Sequence, residues 1–114
     1  MSESLQFLLS CQNRDGAICD YPGGHPYPEV TGYSIPTLVA AGYVAAAERC
    51  AQWLVDHQRE DGSFPGLDGM VSRTFDTAAC VEGLRHFQRW DTRYYAAKRA
   101  DDWLMDQFGP RGLR

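Results

Sequence analysis

Apolar residues recur at helical spacing in five segments of the chain, and Gly- and Pro-rich stretches separate these segments. Leu5, Leu8 and Leu9, for example, share one face of a helix with Gln12. No segment alternates apolar and polar residues in the way that predicts a strand. The pattern therefore predicts an all-α protein, with a first helix that starts after Ser2 or Ser4 and ends before Asp15-Gly16, and further helices near residues 31–41, 44–57, 76–90 and 92–108.

The residues that favour helix ends set the expected boundaries. The segment 17–30 is rich in Gly and Pro and is predicted to be a loop. Asp15-Gly16 predicts a turn, and Gly42 ends the second helix. Pro36 is expected within the first turn of that helix, where its missing N–H costs no hydrogen bond. The predicted N-caps are Ser2 or Ser4 for the first helix, Thr31 or Ser34 for the second, and Asp76 or Thr77 for the fourth.

The chain repeats itself when it is shifted by 46 positions. A third copy begins near Trp103, which aligns with Trp53 at a shift of 50, and it ends at Gly109-Pro110. Periods of this length indicate stacked helical units that cannot bury their apolar faces alone. We predict repeat one at 1–46, repeat two at 47–96 and a partial third repeat at 97–114. The identical pairs include Gln6/Gln52, Leu8/Leu54, Gln12/Gln58, Asp15/Asp61, Gly16/Gly62, Thr31/Thr77 and Leu38/Leu84.

The amino-acid composition argues against several classes of binding partner. The chain has 114 residues and a formal net charge of −4, which argues against a nucleic-acid binder. No apolar stretch reaches the ~20 residues that span a bilayer, and the first residues lack a signal-peptide pattern, so a cytoplasmic location is expected. Cys11, Cys19, Cys50 and Cys80 form no metal-binding spacing and are expected to be reduced and mostly buried.

One repeated motif carries a family resemblance. Trp53-Leu54, Gln58, Asp61-Gly62 and Phe64, with a weaker copy around Phe7-Leu8, resemble the repeats of terpene cyclases and protein prenyltransferases. The resemblance implies an α/α toroid, in which inner and outer rings of helices surround a cavity. In these repeats the motif residues are expected to have structural roles, in turns and at helix ends.

A closer likeness is to prenyltransferase-like toroid proteins found with bacterial polysaccharide-synthesis genes. It is carried by the segments 28–37 and 72–77. A closed ring needs more helices than the five predicted here. The chain is therefore expected to be a partial ring, either as the remainder of a longer toroid or as a homo-oligomer that completes the ring.

The family's catalytic patterns are incomplete in this sequence. In class II terpene cyclases the resemblance would place a D-x-D-D-T-A motif here, whose middle carboxylic acid protonates the isoprenoid. Residues 73–78 read Arg-Thr-Phe-Asp-Thr-Ala, so Phe75 occupies the proton donor's position and only Asp76 remains. The zinc site of protein prenyltransferases would need Asp, Cys and His ligands that this sequence does not space correctly. No metal or cofactor is predicted.

Polar and aromatic residues gather where the two predicted inner helices begin. Such a junction suits a hydroxyl-rich, saccharide-like ligand, because carboxylates accept hydrogen bonds and aromatic rings stack on sugars. Glu29 and Asp76 could also form an acid/base pair. The alternatives are that Asp76 only caps its helix and that His25 is a solvated loop residue. The predicted catalytic residues are Asp76 and Glu29, and the predicted ligand-binding residues are Arg73, Tyr33, Tyr21, Tyr27 and His25.

Three functional hypotheses follow. The first is a partial toroid that binds or processes a saccharide-like ligand at these junctions. The second is an isoprenoid-acting module of cyclase or prenyltransferase type, which Phe75 and the missing zinc ligands oppose. The third is a non-catalytic assembly module or a truncated fragment.

Overall fold

In the part of the chain that is described, all regular elements are α-helices. A computed structural model describes residues 2–66, 74–88 and 91–108. Two isolated antiparallel bridges, Gln12 to Ile18 and Cys19 to Pro26, tighten the first loop. The all-α class is confirmed. The five helices are α1 (Glu3–Ser10), α2 (Pro28–Ala40), α3 (Val44–His57), α4 (Thr74–Leu84) and α5 (Thr92–Phe108).

The helices with clear end signals begin and end where the sequence predicts. Ser2 caps α1, because its hydroxyl accepts a 3.1 Å hydrogen bond from the Leu5 backbone N–H. Gly42 follows α2 at φ 89°, a conformation that glycine adopts without strain. The predicted bounds of α3 and α5 coincide with the observed ones.

The predicted start of α2 is wrong by three residues or more. The helix begins at Pro28, whose fixed φ suits the first helical position, so residues 28–30 are helical rather than loop. Neither Thr31 nor Ser34 is its N-cap, since both lie inside the helix, and Tyr27 precedes it without a side-chain cap. Pro36 consequently lies in the helix interior rather than in the first turn.

The predicted limits of α4 are also wrong. The helix contains Asp76 as its third residue and Thr77 as its fourth, so neither is the N-cap. It ends at Leu84, and the predicted end near Trp90 falls outside the described residues. The early end has a physical reason. Arg85, His86 and Gln88 are exposed, so a longer helix would gain no further buried face there.

Helices α2 and α4 lie side by side at the centre and run in the same direction. Pro28 contacts Cys80, and further along both helices Gly32 and Ile35 lie against Gly83. The backbones approach closely at this crossing, because a Cβ on Gly32 would lie 2.6 Å from the Ala79 carbonyl oxygen. Helix α3 packs on α2, and α5 packs on α4.

A single apolar cluster joins the helices. It includes the largest fully buried side chains, and Leu5, Leu8 and Leu9 of α1 pack against it. The four cysteine side chains are buried, as the sequence predicts, and their thiols are free. The bulky buried residues are Ile18, Ile35, Leu38, Leu54, Phe64 and Leu84.

The same side-chain contacts recur at the spacing of the sequence repeat. Thr31 Oγ1 accepts a 2.9 Å hydrogen bond from the Ile18 backbone N–H, and Thr77 Oγ1 accepts the equivalent 3.0 Å bond from Phe64. Each threonine thereby anchors the loop that precedes its own helix, α2 for Thr31 and α4 for Thr77. Residues 18 and 64, like 31 and 77, are 46 positions apart.

The two glutamines of the repeat motif link α1 to α3 and α3 to α5. Gln12 Nε2 donates to the carbonyl oxygens of Gly16 and Ala46, each at 3.0 Å. Gln58 Nε2 donates to Gly62 at 2.9 Å and to Ala96 at 2.8 Å. These bonds attach the turn after α1 to α3, and the turn after α3 to α5. The expected structural role of both glutamines is consistent with these contacts.

Candidate functional site

The first turns of α2 and α4 bring the two candidate carboxylates to one region of the molecule. Glu29 is the second residue of α2, and Asp76 is the third residue of α4. Cys80 follows Asp76 by one turn, and its thiol donates a 3.4 Å hydrogen bond to the Pro28 carbonyl oxygen. The thiol therefore links the start of α2 to the side of α4.

Electrostatics give a second measure of this proximity. The pKa of the Cys80 thiol is raised well above its usual value, first by burial and then by the nearby carboxylates of Asp76 and Glu29. Cys80 is therefore a neutral thiol at physiological pH. Both carboxylates lie in the first turn of a helix, where the backbone dipole favours negative charge.

The two carboxylates occupy different environments. Asp76 is only 4% exposed, whereas Glu29 is half-buried and accepts a 3.2 Å hydrogen bond from the Tyr27 hydroxyl. They also differ in register, because the 46-residue shift pairs Glu29 with Phe75 and Val30 with Asp76. Asp76 therefore belongs to the packed interior, and Glu29 lies closer to solvent.

An exposed face of α2 and α4 runs beside these carboxylates. Tyr33, one turn after Glu29, is 48% exposed, and Phe75 is 67% exposed. Ala78 and Glu82 continue the exposed side of α4. We call Glu29, Tyr33, Phe75, Ala78 and Glu82 the inner face. It combines the exposed rings of Tyr33 and Phe75 with the carboxylates of Glu29 and Glu82.

The remaining candidate residues are not all brought to this face. Tyr21 and His25 are exposed in the loop before α2. The Asp20 side chain holds that loop, because its Oδ1 accepts bonds from the backbone N–H groups of Tyr21 at 3.0 Å and His25 at 2.8 Å. Arg73 lies outside the described residues. The roles predicted for all seven site residues stay predictions.

Two clefts lie on the surface beside these helices. One, of ≈ 410 Å³, lies beside α1 and the start of α2. Its wall is mainly apolar and includes Phe7, Leu8, Ile18 and Val30. The other, of ≈ 450 Å³, is lined by Trp53, His57, Pro26, Pro28, Pro65, Gly66 and Arg59.

His57 has a packing role in the second cleft. Its ring stacks on Trp53 with centroids 4.3 Å apart, and its Nδ1 lies 2.8 Å from the Trp53 carbonyl oxygen. A carbonyl oxygen only accepts, so Nδ1 carries the proton. In the 46-residue alignment His57 lies opposite Cys11, a buried packing residue.

Metal-binding and membrane-spanning features are absent from the described residues. No group of three or more His, Cys, Asp and Glu side chains there could hold a metal ion. Within the same ranges, no helix is long and apolar enough to cross a membrane.

Two arginines have structural roles that were not predicted from the sequence. Arg49 Nη2 donates to the carbonyl oxygens of Asn13 and Arg14, at 3.1 and 2.9 Å. Arg99 Nη2 makes the same kind of contact to Arg59 and Glu60, at 3.4 and 2.8 Å. The signal was present, because positions 49 and 99 are separated by the same 50 residues as Trp53 and Trp103.

Comparison with known proteins gives a partial match. No protein-family model matches the chain. Over 62 residues, or 54% of its length, the chain is 36% identical to a terpentedienyl-diphosphate synthase from Kitasatospora griseola. The matched stretch spans only 12% of that synthase. The similarity supports, over this stretch, a relationship to terpene cyclase-like proteins.

Proposed function

We propose that this chain is a helical module of terpene-cyclase type that binds an isoprenoid-like ligand on its inner face. The observation that carries the proposal is the 67% exposure of Phe75 in a chain that is locally similar to a terpentedienyl-diphosphate synthase. A large exposed aromatic side chain on an inner helix offers a contact surface to an apolar chain.

The residues of the inner face have different roles in ligand binding. Phe75 and Tyr33 supply aromatic surface against the hydrocarbon. Glu29, held by Tyr27, and the buried Asp76 set the polar edge of the site. Because Phe75 replaces the carboxylic acid that the family resemblance would place there, the module binds the ligand without protonating it.

Ligand binding tests this proposal directly. Titration of the protein with geranylgeranyl diphosphate is expected to change its tryptophan fluorescence, while inorganic diphosphate is expected to have no effect. The Phe75→Ser variant loses an aromatic contact worth about 1.5–3 kcal/mol, so its affinity should fall at least about tenfold.

Tyr95→Ser is the matched control. Tyr95 is an aromatic residue on α5 with 43% of its surface exposed, so its loss removes a similar ring from a different helix. Binding by this variant should equal that of the wild type. The proposal fails if the wild type does not respond, or if both variants lose affinity equally.

A saccharide-like ligand is the second candidate, and the Tyr27–Glu29 hydrogen bond beside exposed Tyr33 favours it. In this alternative Glu29 and Asp76 anchor hydroxyl groups or form an acid/base pair, and Tyr21, His25 and Arg73 complete the site. Glu29→Gln should then abolish glycan binding while leaving isoprenoid binding unaffected. The hypothesis of a non-catalytic assembly module or fragment would be contradicted by any turnover that depends on Glu29 or Asp76.

The proposal also covers how the chain divides into repeats and how these repeats are arranged. We propose that repeat one (1–46), repeat two (47–96) and a partial third repeat (97–114) form an arc of an α/α toroid. The recurring threonine, glutamine and arginine contacts support this division, as does the parallel packing of α2 and α4.

A further inference from the structure

The second cleft is formed where the start of α2 meets the end of α3 and the loop that follows it. Pro26 and Pro28 line it from the start of α2, and Trp53 and His57 line it from the last turns of α3. Its volume of ≈ 450 Å³ lies within the range of about 300–1,000 Å³ that is usual for small-molecule pockets. The cleft is therefore large enough for a small organic ligand.

The cleft presents rigid, flat apolar surfaces. Three of its lining residues are prolines, whose rings are conformationally fixed. The His57 ring stacks on Trp53 with centroids 4.3 Å apart, and Trp53 is only 7% exposed. His57 itself is exposed. One face of its imidazole is therefore covered by Trp53, and the other is open to stack on a planar ring.

Arg59 supplies the charge of the cleft. Among the described residues that line it, Arg59 is the only Lys or Arg, and none is an Asp or Glu. The backbone of Arg59 is held in a tight turn, because its N–H donates to the Ser63 carbonyl oxygen and its own carbonyl oxygen accepts from the Gly62 N–H, both at 2.9 Å. A guanidinium group binds a carboxylate through two parallel hydrogen bonds. The cleft therefore complements an anionic group.

The sequence repeat does not account for the two polar residues of this cleft. The 46-residue shift places Cys11 opposite His57 and Asn13 opposite Arg59. The turn after α1 thus forms without an imidazole or a guanidinium group at these positions. The first cleft also has the opposite charge, since Asp20 lines it and, among its described lining residues, there is no Lys or Arg. His57 and Arg59 are therefore features of the second cleft and not of the repeat.

We propose that the second cleft is a binding site for a small planar aromatic carboxylate. The aromatic ring of the ligand packs on the open face of His57 and on the proline rings, and its carboxylate pairs with Arg59. Because Nδ1 of His57 already donates to the Trp53 carbonyl oxygen, His57 contributes its ring rather than a donor from that atom. No residue of the inner face lines this cleft. The proposal therefore does not rest on isoprenoid binding at the inner face.

Three compounds that share one ring system test the ligand class on the wild-type protein. Naphthylacetate, the neutral naphthylethanol and the cationic naphthylethylamine are titrated at neutral pH and followed by two-dimensional amide NMR spectra. Naphthylacetate should shift the Trp53 indole N–H and the backbone amides of Arg59 and Gly66, with a Kd below about 1 mM. The neutral and cationic compounds should bind at least about tenfold more weakly, because neither pairs with the guanidinium group.

Variants then test the residues. Arg59→Asn introduces the residue that stands at the equivalent turn after α1, so circular dichroism should show a folded protein, and the affinity for naphthylacetate should fall at least about tenfold. His57→Ala should weaken naphthylacetate and naphthylethanol alike, because it removes the stacking ring. Arg14→Asn is the matched control. Arg14 is an exposed cation in the turn after α1 and lines neither cleft, so this variant should bind like the wild type.

Three results would overturn the proposal. The first is a wild type without saturable shifts, and the second is naphthylethanol binding as tightly as naphthylacetate. The third is a folded Arg59→Asn protein that keeps the wild-type affinity. The comparison of the three compounds uses only the wild type, so it decides the proposal even if a variant fails to fold. Isoprenoid binding is measured separately, with Phe75→Ser, and its outcome is independent of these results.

Discussion

Cys80 and the two carboxylates near it show how a single position combines packing with electrostatics. The thiol donates a hydrogen bond to the Pro28 carbonyl oxygen. Its pKa is raised first by burial and then by the nearby carboxylates of Asp76 and Glu29. The identities of the two acids were visible in the sequence. Their unequal exposure was not, because a one-residue difference in register moves a helical side chain by about 100° around the axis.

An ion pair at the start of α5 gives a pH-dependent prediction. Arg93 donates from Nε to Asp91 Oδ1 at 2.7 Å, and this hydrogen bond lowers the pKa of Asp91 to about 2. A depressed folded-state pKa means that the stabilisation is complete above the unfolded value, about 4, and is lost as the pH falls towards about 2.

The Asp91→Asn variant should therefore be less stable than the wild type by at most about 1 kcal/mol at neutral pH, since the pair is partly exposed. Most of the difference should be lost by pH 2, where about half of the folded molecules have protonated Asp91. Urea denaturation at several pH values measures it. Asp102→Asn, at an exposed position of α5, should follow the wild type at every pH. A difference in stability that is as large at pH 2 as at neutral pH would mean that the carboxylate's charge is not its source.

At the scale of elements, the crossing of α2 and α4 decides the architecture. Helices α3 and α5 were predictable to the residue, because apolar residues recur along them at helical spacing, with Gly42 shortly before α3 and Gly109 directly after α5. The bounds of α2 and α4 were not, because both helices are buried on several sides, and α2 begins after Tyr27, whose side chain makes no capping hydrogen bond. Their ends are set by packing on each other.

Gly32→Ala should destabilise the protein by about 1–3 kcal/mol, because the added methyl group overlaps the Ala79 carbonyl oxygen. Helix propensity alone predicts the opposite sign, a gain of about 1 kcal/mol. The sign of the change therefore reports the close approach of the two helices. Urea denaturation followed by circular dichroism measures it.

Ala78→Gly at the equivalent exposed position of α4 is the companion variant. It should cost only the propensity difference of about 1 kcal/mol. A stabilised Gly32→Ala protein would mean that α2 and α4 are not in close contact.

At the scale of the whole molecule, the five helices of the described residues enclose one apolar cluster, and the molecule measures 45 × 31 × 22 Å. The cluster runs through both repeats without a break, so local opening of one repeat exposes the core of the other. Unfolding should therefore be a single cooperative event.

Thiol reactivity reports this cooperativity. Burial raises the pKa of Cys50 to about 12, and Cys80 is also buried with a raised pKa. Both should be unmodified by a thiol reagent at pH 8 in the native protein and react together as urea unfolds it. Mass spectrometry of modified peptides distinguishes the sites. Modification of either cysteine well below the unfolding midpoint would contradict a single cooperative core.

The amino-acid sequence alone determined the all-α class, the repeat spacing and the turns, because these depend on local periodicity and on Gly and Pro backbone preferences. It also located Glu29 and Asp76. The tertiary structure alone decided which of these carboxylates is buried, that Thr31 and Thr77 anchor loops rather than cap helices, and that Phe75 is exposed. These outcomes depend on how α2 and α4 pack against each other, and such long-range contacts leave no local pattern in the sequence.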